Sequence, residues 1–191
     1  MLIAFEGPDN TGKSTAAAAL TSFEQPIYNA TNLNHKLAVA RLAGQEELVQ
    51  TFDRIDWFTH MVYRLALPDR EWNDERPRTV FAMPDTHLVI RLHHPELANF
   101  TAEEVVDTPI ARVNPMYYYM AVHFMNLNRV WDYAHFKSIT IVEVRNEEGS
   151  YQESVVDHDS PAFDWGTSAT ALVKDAPSLL DFLRYVDQHI G

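Results

Sequence analysis

The feature that most constrains this chain is a glycine-bounded loop, GPDNTGKS, which begins at Gly7 and ends at Ser14. An apolar run at residues 2–5 precedes it, and an alanine-rich stretch follows directly after Thr15. The apolar run is short enough for a buried strand, and the alanines favour a helix. Strand, loop and helix in this order match the phosphate-binding pattern G-x-x-x-x-G-K-[ST]. The sequence therefore predicts a nucleoside triphosphate site.

Each residue type in this loop has a physical reason to be there. Gly7 and Gly12 allow backbone angles that let consecutive N–H groups converge on one anion. The helix that follows adds its positive dipole end and its unpaired N–H groups. Lys13 is expected to reach the outer phosphates, and the Ser14 hydroxyl to ligate Mg²⁺. The residues predicted to bind ATP are Gly7, Asn10, Thr11, Gly12, Lys13, Ser14 and Thr15.

The composition narrows the classes of partner. The chain has 15 Lys and Arg residues against 27 Asp and Glu residues, a net charge of −12. This acidity disfavours long nucleic acid, which requires a basic surface, but allows a small phosphorylated substrate held by local arginines. The absence of cysteine excludes disulfides, thiolate zinc sites and cysteine nucleophiles. Without a basic leader or a membrane-length apolar run, we expect a soluble, cytoplasmic protein that binds no membrane.

The alternation of strand and helix patterns predicts the architecture. Strands are predicted at residues 2–5, 26–30, 48–52, 87–92 and 138–144, with helices between them. This pattern predicts one α/β domain over residues 1–191, a three-layer sandwich of the P-loop NTPase type. Its sheet has five parallel strands with helices on both faces. Asn114 and Pro115 predict a helix start, residues 146–175 carry no predicted element, and a last helix follows Asp175.

Two pairs of residues follow predicted strands. Asp53 and Arg54 follow the third strand, and His93 and His94 follow the fourth. The carboxyl ends of parallel strands form the edge where ligands bind. Asp53 is therefore expected to hold Mg²⁺ or its waters, and Arg54 to bind phosphate through two N–H groups; the alternative is a helix cap beside a surface arginine. Adjacent histidines point in different directions, so we expect turn or substrate-rim residues, not a chelating pair.

Residues 5–15, FEGPDNTGKST, resemble the F-E-G-x-D-x-x-G-K-S-T opening of thymidylate kinases. Asp53-Arg54 resembles the D-R motif of that family, and residues 88–96 resemble its later strand that ends in a P-E turn. The resemblance covers the first and middle parts of the chain and leaves out the C-terminal part. Fewer residues than usual separate the loop from Asp53-Arg54, so the chain resembles a compact, divergent member of the kind that viruses encode.

The resemblance implies a kinase that uses Mg²⁺ to transfer the γ-phosphate of ATP to dTMP or a similar deoxynucleoside monophosphate. It implies that Asp9 contacts the sugar 3′-hydroxyl and that Arg54 touches the acceptor phosphate or the transferred group. It also implies a lid over residues 96–113, in which Arg112 is the basic residue. The expected catalytic residues are Lys13, Asp53, Arg54 and Arg112, and the expected metal ligands are Ser14 and Asp53. A homodimer is among the expectations.

Other classes of function stay open at this stage. A deoxynucleoside kinase would need a carboxylate base for a neutral hydroxyl, a role that Asp9 or Asp53 could take. A kinase acting on a modified base in DNA is a second alternative, which the net charge of −12 opposes. A non-enzymatic nucleotide-binding switch is a third, and the GTP-selective motif N-K-x-D of such proteins is missing from the sequence.

Overall fold

A computed structural model of the chain describes residues 1–21, 26–67, 70–71, 80–94, 110–130, 135–147 and 150–156. Strands and helices largely alternate along these ranges. In chain order they are β1 (Leu2–Glu6), α1 (Lys13–Leu20), β2 (Tyr28–Ala30), α2 (Asn32–Leu42), β3 (Gln50–Ile55), α3 (Asp56–Ala66), β4 (Met83–His93), α4 (Ile110–Val130), β5 (Phe136–Glu147) and β6 (Ser150–Val155). No helix within the described ranges has the length and apolar character needed to cross a membrane.

The strands form one six-stranded sheet in the order β2-β3-β1-β4-β5-β6. The first five strands pair in parallel, and β6 pairs with β5 in antiparallel orientation. The α/β class and the largely parallel sheet confirm the prediction, but the predicted number of five strands was wrong. The sequence of β6, SYQESV, is mostly polar because an edge strand buries little surface, so it carries no apolar periodicity.

The handedness of the connections explains which face each helix covers. From β1 to β2 the chain moves across the sheet in one direction, whereas the next three connections all move in the opposite direction. Because crossovers between parallel strands are right-handed, α1 must lie on one face and α2, α3 and α4 on the other. Burial agrees: Ile3 and Phe5 pack with Ala17 of α1, whereas Leu2 and Ala4 belong to the larger core on the other face.

The larger core is rich in aromatic side chains from α3, α4 and β5. Phe58, Tyr117, Phe124 and Phe136 are fully buried, and their ring centroids lie 5.7–6.4 Å apart in the pairs Phe58–Tyr117, Phe58–Phe124, Phe58–Phe136 and Phe124–Phe136. Such edge and stacked contacts add to the free energy gained by burial. Tyr117 and Phe124 are two helical turns apart, so both lie on the face of α4 that packs into this core.

Two predicted element boundaries were wrong at positions that matter for the site. Strand β3 continues to Ile55, so Asp53 and Arg54 lie inside the strand and not after it. Helix α4 begins at Ile110, so Asn114 does not cap it and Pro115 lies within it. The remaining predicted strands are confirmed with shifted ends. The predicted last helix lies outside the described residues, as does the predicted lid except for residues 110–113, which form the first turn of α4.

Candidate active site

The site lies at the carboxyl ends of β1, β3 and β4. Helix α1 follows β1 on one face of the sheet, whereas α3 follows the neighbouring β3 on the opposite face. Where the chain leaves adjacent strands toward opposite faces, a crevice forms that binds ligands in open α/β sheets. Residues 7–12 span this crevice between β1 and α1.

The loop has the positive φ angles that were expected at its glycines. Gly7 has φ 141° and Gly12 has φ 70°, and Asn10 between them is also left-handed at φ 62°. A Cβ atom on Gly7 would lie far inside the van der Waals distance of the Arg91 carbonyl oxygen. The first N–H groups of a helix have no intrahelical partner. In α1 the N-cap is Gly12, which has no side chain that could accept hydrogen bonds from them.

Lys13 is buried inside the loop and bonds to its backbone. Its Nζ donates to the Pro8 carbonyl oxygen at 2.5 Å, and the Thr11 hydroxyl donates to the same oxygen at 2.9 Å. Burial lowers the pKa of Lys13 to about 8, helped by the positive charge of Arg54, while Asp9 and nearby carboxylates oppose the change. An ammonium group held in this way gains free energy from any anion that enters the loop.

Ser14 and Asp53, the two predicted metal ligands, are in contact. The Ser14 hydroxyl donates to Oδ2 of Asp53 at 2.5 Å, and Oδ1 of Asp53 is buried with no hydrogen-bond partner in the described part of the chain. A hydroxyl and a carboxylate are hard oxygen ligands, which suit Mg²⁺, and an unpartnered buried oxygen is a group that a cation would satisfy. Among the described residues no three His, Cys, Asp or Glu side chains cluster as a cage. Mg²⁺ commonly takes few protein oxygens and completes its shell with phosphates, so these residues fit it.

Asp9 and Arg54, the two residues predicted to bind the acceptor, form an ion pair. The Arg54 guanidinium also donates to the Tyr117 hydroxyl at 3.5 Å. Burial acts to lower the pKa of Arg54, but Tyr117, Glu6 and other acidic groups outweigh it and raise that pKa above its ordinary value. Arg54 therefore stays cationic. Its backbone is left-handed, φ 80°, a strained state for a non-glycine residue that is often found at functional sites.

Glu6 is a site residue that the sequence reasoning missed. It is the last residue of β1, and its fully buried carboxylate accepts hydrogen bonds from the Ile55 N–H and the Thr59 hydroxyl. Burial raises the pKa of Glu6 to about 7, against the Ile55 N–H and the charges of Arg54 and Lys13. The sequence carried one signal for this site, an acidic residue at the end of an apolar strand. Such a residue is worth attention because acids are rarely buried without a partner.

His93 and His94 have separate hydrogen-bond partners. Nε2 of His93 lies 2.7 Å from the Asp9 carbonyl oxygen and must carry the proton, because a carbonyl only accepts. Burial lowers the pKa of His93. Nε2 of His94 lies 2.7 Å from Arg145. His93 is thus bound to the loop, whereas His94 faces β5.

Asn114 fixes the backbone of His93. The Asn114 amide accepts from the His93 N–H at 3.0 Å and donates to the His93 carbonyl oxygen at 2.9 Å. Arg112 lies two residues earlier, half-buried, with an Nε that has no hydrogen-bond partner in the described residues. Within those residues it makes no hydrogen bond or ion pair with the loop. The structure therefore joins Asp53 and Arg54 to the loop through Ser14 and Asp9, and within the described residues it shows no such contact for Arg112.

Comparison with known proteins identified no family for this chain. No protein-family model matches the sequence, and searches of curated proteins and of solved structures gave no match. The resemblance to thymidylate kinases is thus carried by short motifs alone, at residues 5–15, 53–54 and 88–96. Function is therefore inferred from the residues in the crevice.

Proposed function

We propose that the chain is a Mg²⁺-dependent kinase that transfers the γ-phosphate of ATP to a deoxynucleoside monophosphate similar to dTMP. One observation carries the proposal: Lys13 is buried inside a left-handed glycine loop, between a buried parallel strand and the uncapped start of α1. Convergent N–H groups, a buried ammonium group and a helix dipole together stabilise a polyphosphate.

Phosphoryl transfer requires charge stabilisation and positioning more than covalent chemistry from the protein. The N–H groups of the loop and of the first turn of α1 bind the outer phosphates. Lys13 exchanges its bond to the Pro8 carbonyl for phosphate oxygens, where its charge opposes the negative charge of the transferred group. Ser14 and Asp53 would hold Mg²⁺, which neutralises phosphate charge when bound.

The acceptor is recognised by Asp9 and Arg54. The Asp9 side chain is 44% exposed and can accept a hydrogen bond from a sugar hydroxyl, whereas the Arg54 side chain is 22% exposed and offers two parallel N–H donors to a phosphate. A permanently charged guanidinium suits a phosphate monoester, whose charge a nucleoside lacks.

The Asp9–Arg54 ion pair favours a second candidate, a deoxynucleoside kinase. Because the Arg54 charge is already matched by Asp9, a neutral acceptor would leave the pair intact. Asp9 or Asp53 would then accept the proton of the attacking hydroxyl. The two candidates differ in a single substrate feature, the phosphate on the acceptor.

The test is transfer from γ-labelled ATP with Mg²⁺ to matched acceptors, each deoxynucleoside beside its own monophosphate. We expect label on the monophosphates, dTMP foremost, and none with Lys13→Ala, whose fold is checked by circular dichroism. Faster transfer to the nucleosides would replace the proposal with the second candidate. No transfer and no ATP binding by the native chain would overturn both.

A further inference from the structure

Arg91, in the middle of the sheet, is a buried charge whose role the proposed reaction does not explain. It is 2% exposed, and along β4 it alternates with the core residues Ile90 and Leu92, so it faces the side of the sheet that carries α1. Its Nε donates to the Thr11 carbonyl oxygen at 2.6 Å, and its Nη2 donates to Glu153 of β6 at 2.6 Å. Burying a guanidinium costs free energy unless partners compensate, and one of these partners is the loop backbone.

His93 makes the same kind of bond two residues further along β4. Its Nε2–H donates to the Asp9 carbonyl oxygen at 2.7 Å. Residues two apart in a strand lie on the same face, so Arg91 and His93 approach the loop from one side. Each side chain holds a carbonyl oxygen of the loop on the β4 side.

A fixed carbonyl also fixes the N–H group of the same peptide. All peptides of the described residues are trans, and in a planar trans peptide the C=O and the N–H point in opposite directions. Holding the Thr11 oxygen toward Arg91 therefore turns the Gly12 N–H away from β4. The bond from His93 to Asp9 does the same for the Asn10 N–H. These are two of the N–H groups that the loop would offer to a phosphate.

Strand β6, which lies beyond β4 and β5 in the sheet, also contacts the loop. A Cβ atom on Gly12 would lie 3.1–3.2 Å from three ring atoms of Tyr151, so the tyrosine ring packs directly on this glycine. Glu153 lies two residues further along β6 and holds Arg91. Both side chains face the loop, because residues two apart share a face.

We propose that Arg91 and His93 are positioning residues that orient the Gly12 and Asn10 N–H groups toward phosphate, and that β6 holds Arg91 in place through Glu153. The edge strand is then part of the phosphate-binding machinery. This inference rests on the proposed function, because it assigns a role within the same loop.

The decisive comparison is His93→Gln against His93→Leu. Glutamine keeps an N–H donor on a side chain of similar reach, whereas leucine has none. Affinity is measured by calorimetry for Mg·ATP and for Mg·tripolyphosphate, which has no base or sugar and so reports on the loop alone. The melting temperature of the nucleotide-free protein is measured beside it, because a purely structural role would change that temperature and leave affinity unchanged.

We expect His93→Leu and Arg91→Met to weaken both ligands by about tenfold or more, the scale of a lost hydrogen bond at a charged site, while His93→Gln retains most of the affinity. Glu153→Gln, a change at a half-exposed side chain, should weaken both ligands less, and Ser154→Ala on the opposite face of β6 should change neither. If Arg91→Met does not fold, the His93 pair and Glu153→Gln still decide. If folded His93→Leu binds both ligands with the same affinity as the native chain, this inference alone is overturned. A native chain that binds neither ligand would overturn it together with the proposed function.

Discussion

The carboxylate of Asp9 forms an ion pair with the guanidinium of Arg54, which joins the loop after β1 to β3. Both residues were predicted to meet the acceptor, but the sequence does not show that they meet each other. In the proposed reaction, an acceptor phosphate would therefore compete with Asp9 for Arg54, and its binding would release the Asp9 carboxylate for a sugar hydroxyl. Binding of the acceptor phosphate to Arg54 would thus also free Asp9 to contact the sugar of the same acceptor.

Substitution of Arg54 should separate monophosphate from nucleoside acceptors. Arg54→Ala removes the charged donors and should lower kcat/KM for monophosphates by about ten- to a hundredfold, the cost of one charge-assisted hydrogen bond. Arg54→Lys keeps the charge but loses the paired geometry, so its activity should also fall. The measurement is the ratio of kcat/KM for each nucleotide to that for its nucleoside, in which any loss of folded protein cancels. An unchanged ratio in both variants would contradict recognition of phosphate by Arg54.

Substitution of Asp53 should weaken the response to magnesium without weakening the fold. Asp53→Asn removes the charge that Mg²⁺ needs, but it keeps the size of the side chain and an oxygen that can accept from the Ser14 hydroxyl. We expect ATP to raise the melting temperature of the native chain only when Mg²⁺ is present, since a ligand at a hundred times its Kd adds about 2.7 kcal/mol. In Asp53→Asn this increase should need more Mg²⁺, while the nucleotide-free protein melts no earlier. GTP with and without Mg²⁺ serves as the comparison, and a magnesium titration equal to the native one would argue against Asp53 as a ligand.

The sequence was sufficient for the parts of the fold that depend on local pattern. Residues 2–20 form a strand, a loop and a helix. The apolar run, the glycines and the alanines each determine the local backbone over a few residues, so this part could be predicted. Tyr117 and Phe124 of the larger core also follow a local pattern, since they repeat at helical spacing. Lys13, Ser14 and Asp53 were predicted together because motif spacing and the parallel sheet place them at one edge.

The parts that the sequence did not reveal depend on partners distant in the chain. Asn114 resembles a helix cap, but its amide binds the backbone of His93, and this tertiary pairing replaces the local preference. Arg91 lies in an apolar strand pattern, and its role depends on Thr11 and on Glu153 in a polar edge strand. Glu6 directly follows an apolar run, but its partners Ile55 and Thr59 lie 49 and 53 positions away in the chain. No short-range pattern encodes these contacts.

The buried carboxyl of Glu6 should make stability depend on pH. Its pKa is 4.5 in an exposed state and about 7 in the fold, so between these values the native chain binds the proton more strongly than the unfolded chain does. Its contribution to the free energy of unfolding is therefore greatest below pH 4.5, falls as the pH rises toward 7, and is constant above that. Glu6→Gln does not titrate and can still accept from the Ile55 N–H.

Urea unfolding of the native chain and of Glu6→Gln at pH 5, 7 and 8.5 tests this expectation. The stability of the variant relative to the native chain should increase from pH 5 to pH 8.5, by a few kcal/mol for a shift of this size. All other titrating groups are common to the two proteins and largely cancel. A difference that stays constant with pH would mean that Glu6 titrates as an exposed acid.

Gly7 and Gly44 provide a matched pair for the geometry of the loop. Both have positive φ, 141° and 77°, but a Cβ on Gly7 would collide with the backbone of Arg91, whereas nothing lies within 4 Å of a Cβ on Gly44. Gly44→Ala should therefore cost only the left-handed backbone, about 1–2 kcal/mol of unfolding free energy, and leave ATP affinity unchanged. Gly7→Ala must move the loop away from β4, so it should cost more stability and also abolish measurable binding of Mg·ATP. Equal effects of the two substitutions on calorimetric affinity would show that close approach of the loop to Arg91 is not needed for phosphate binding.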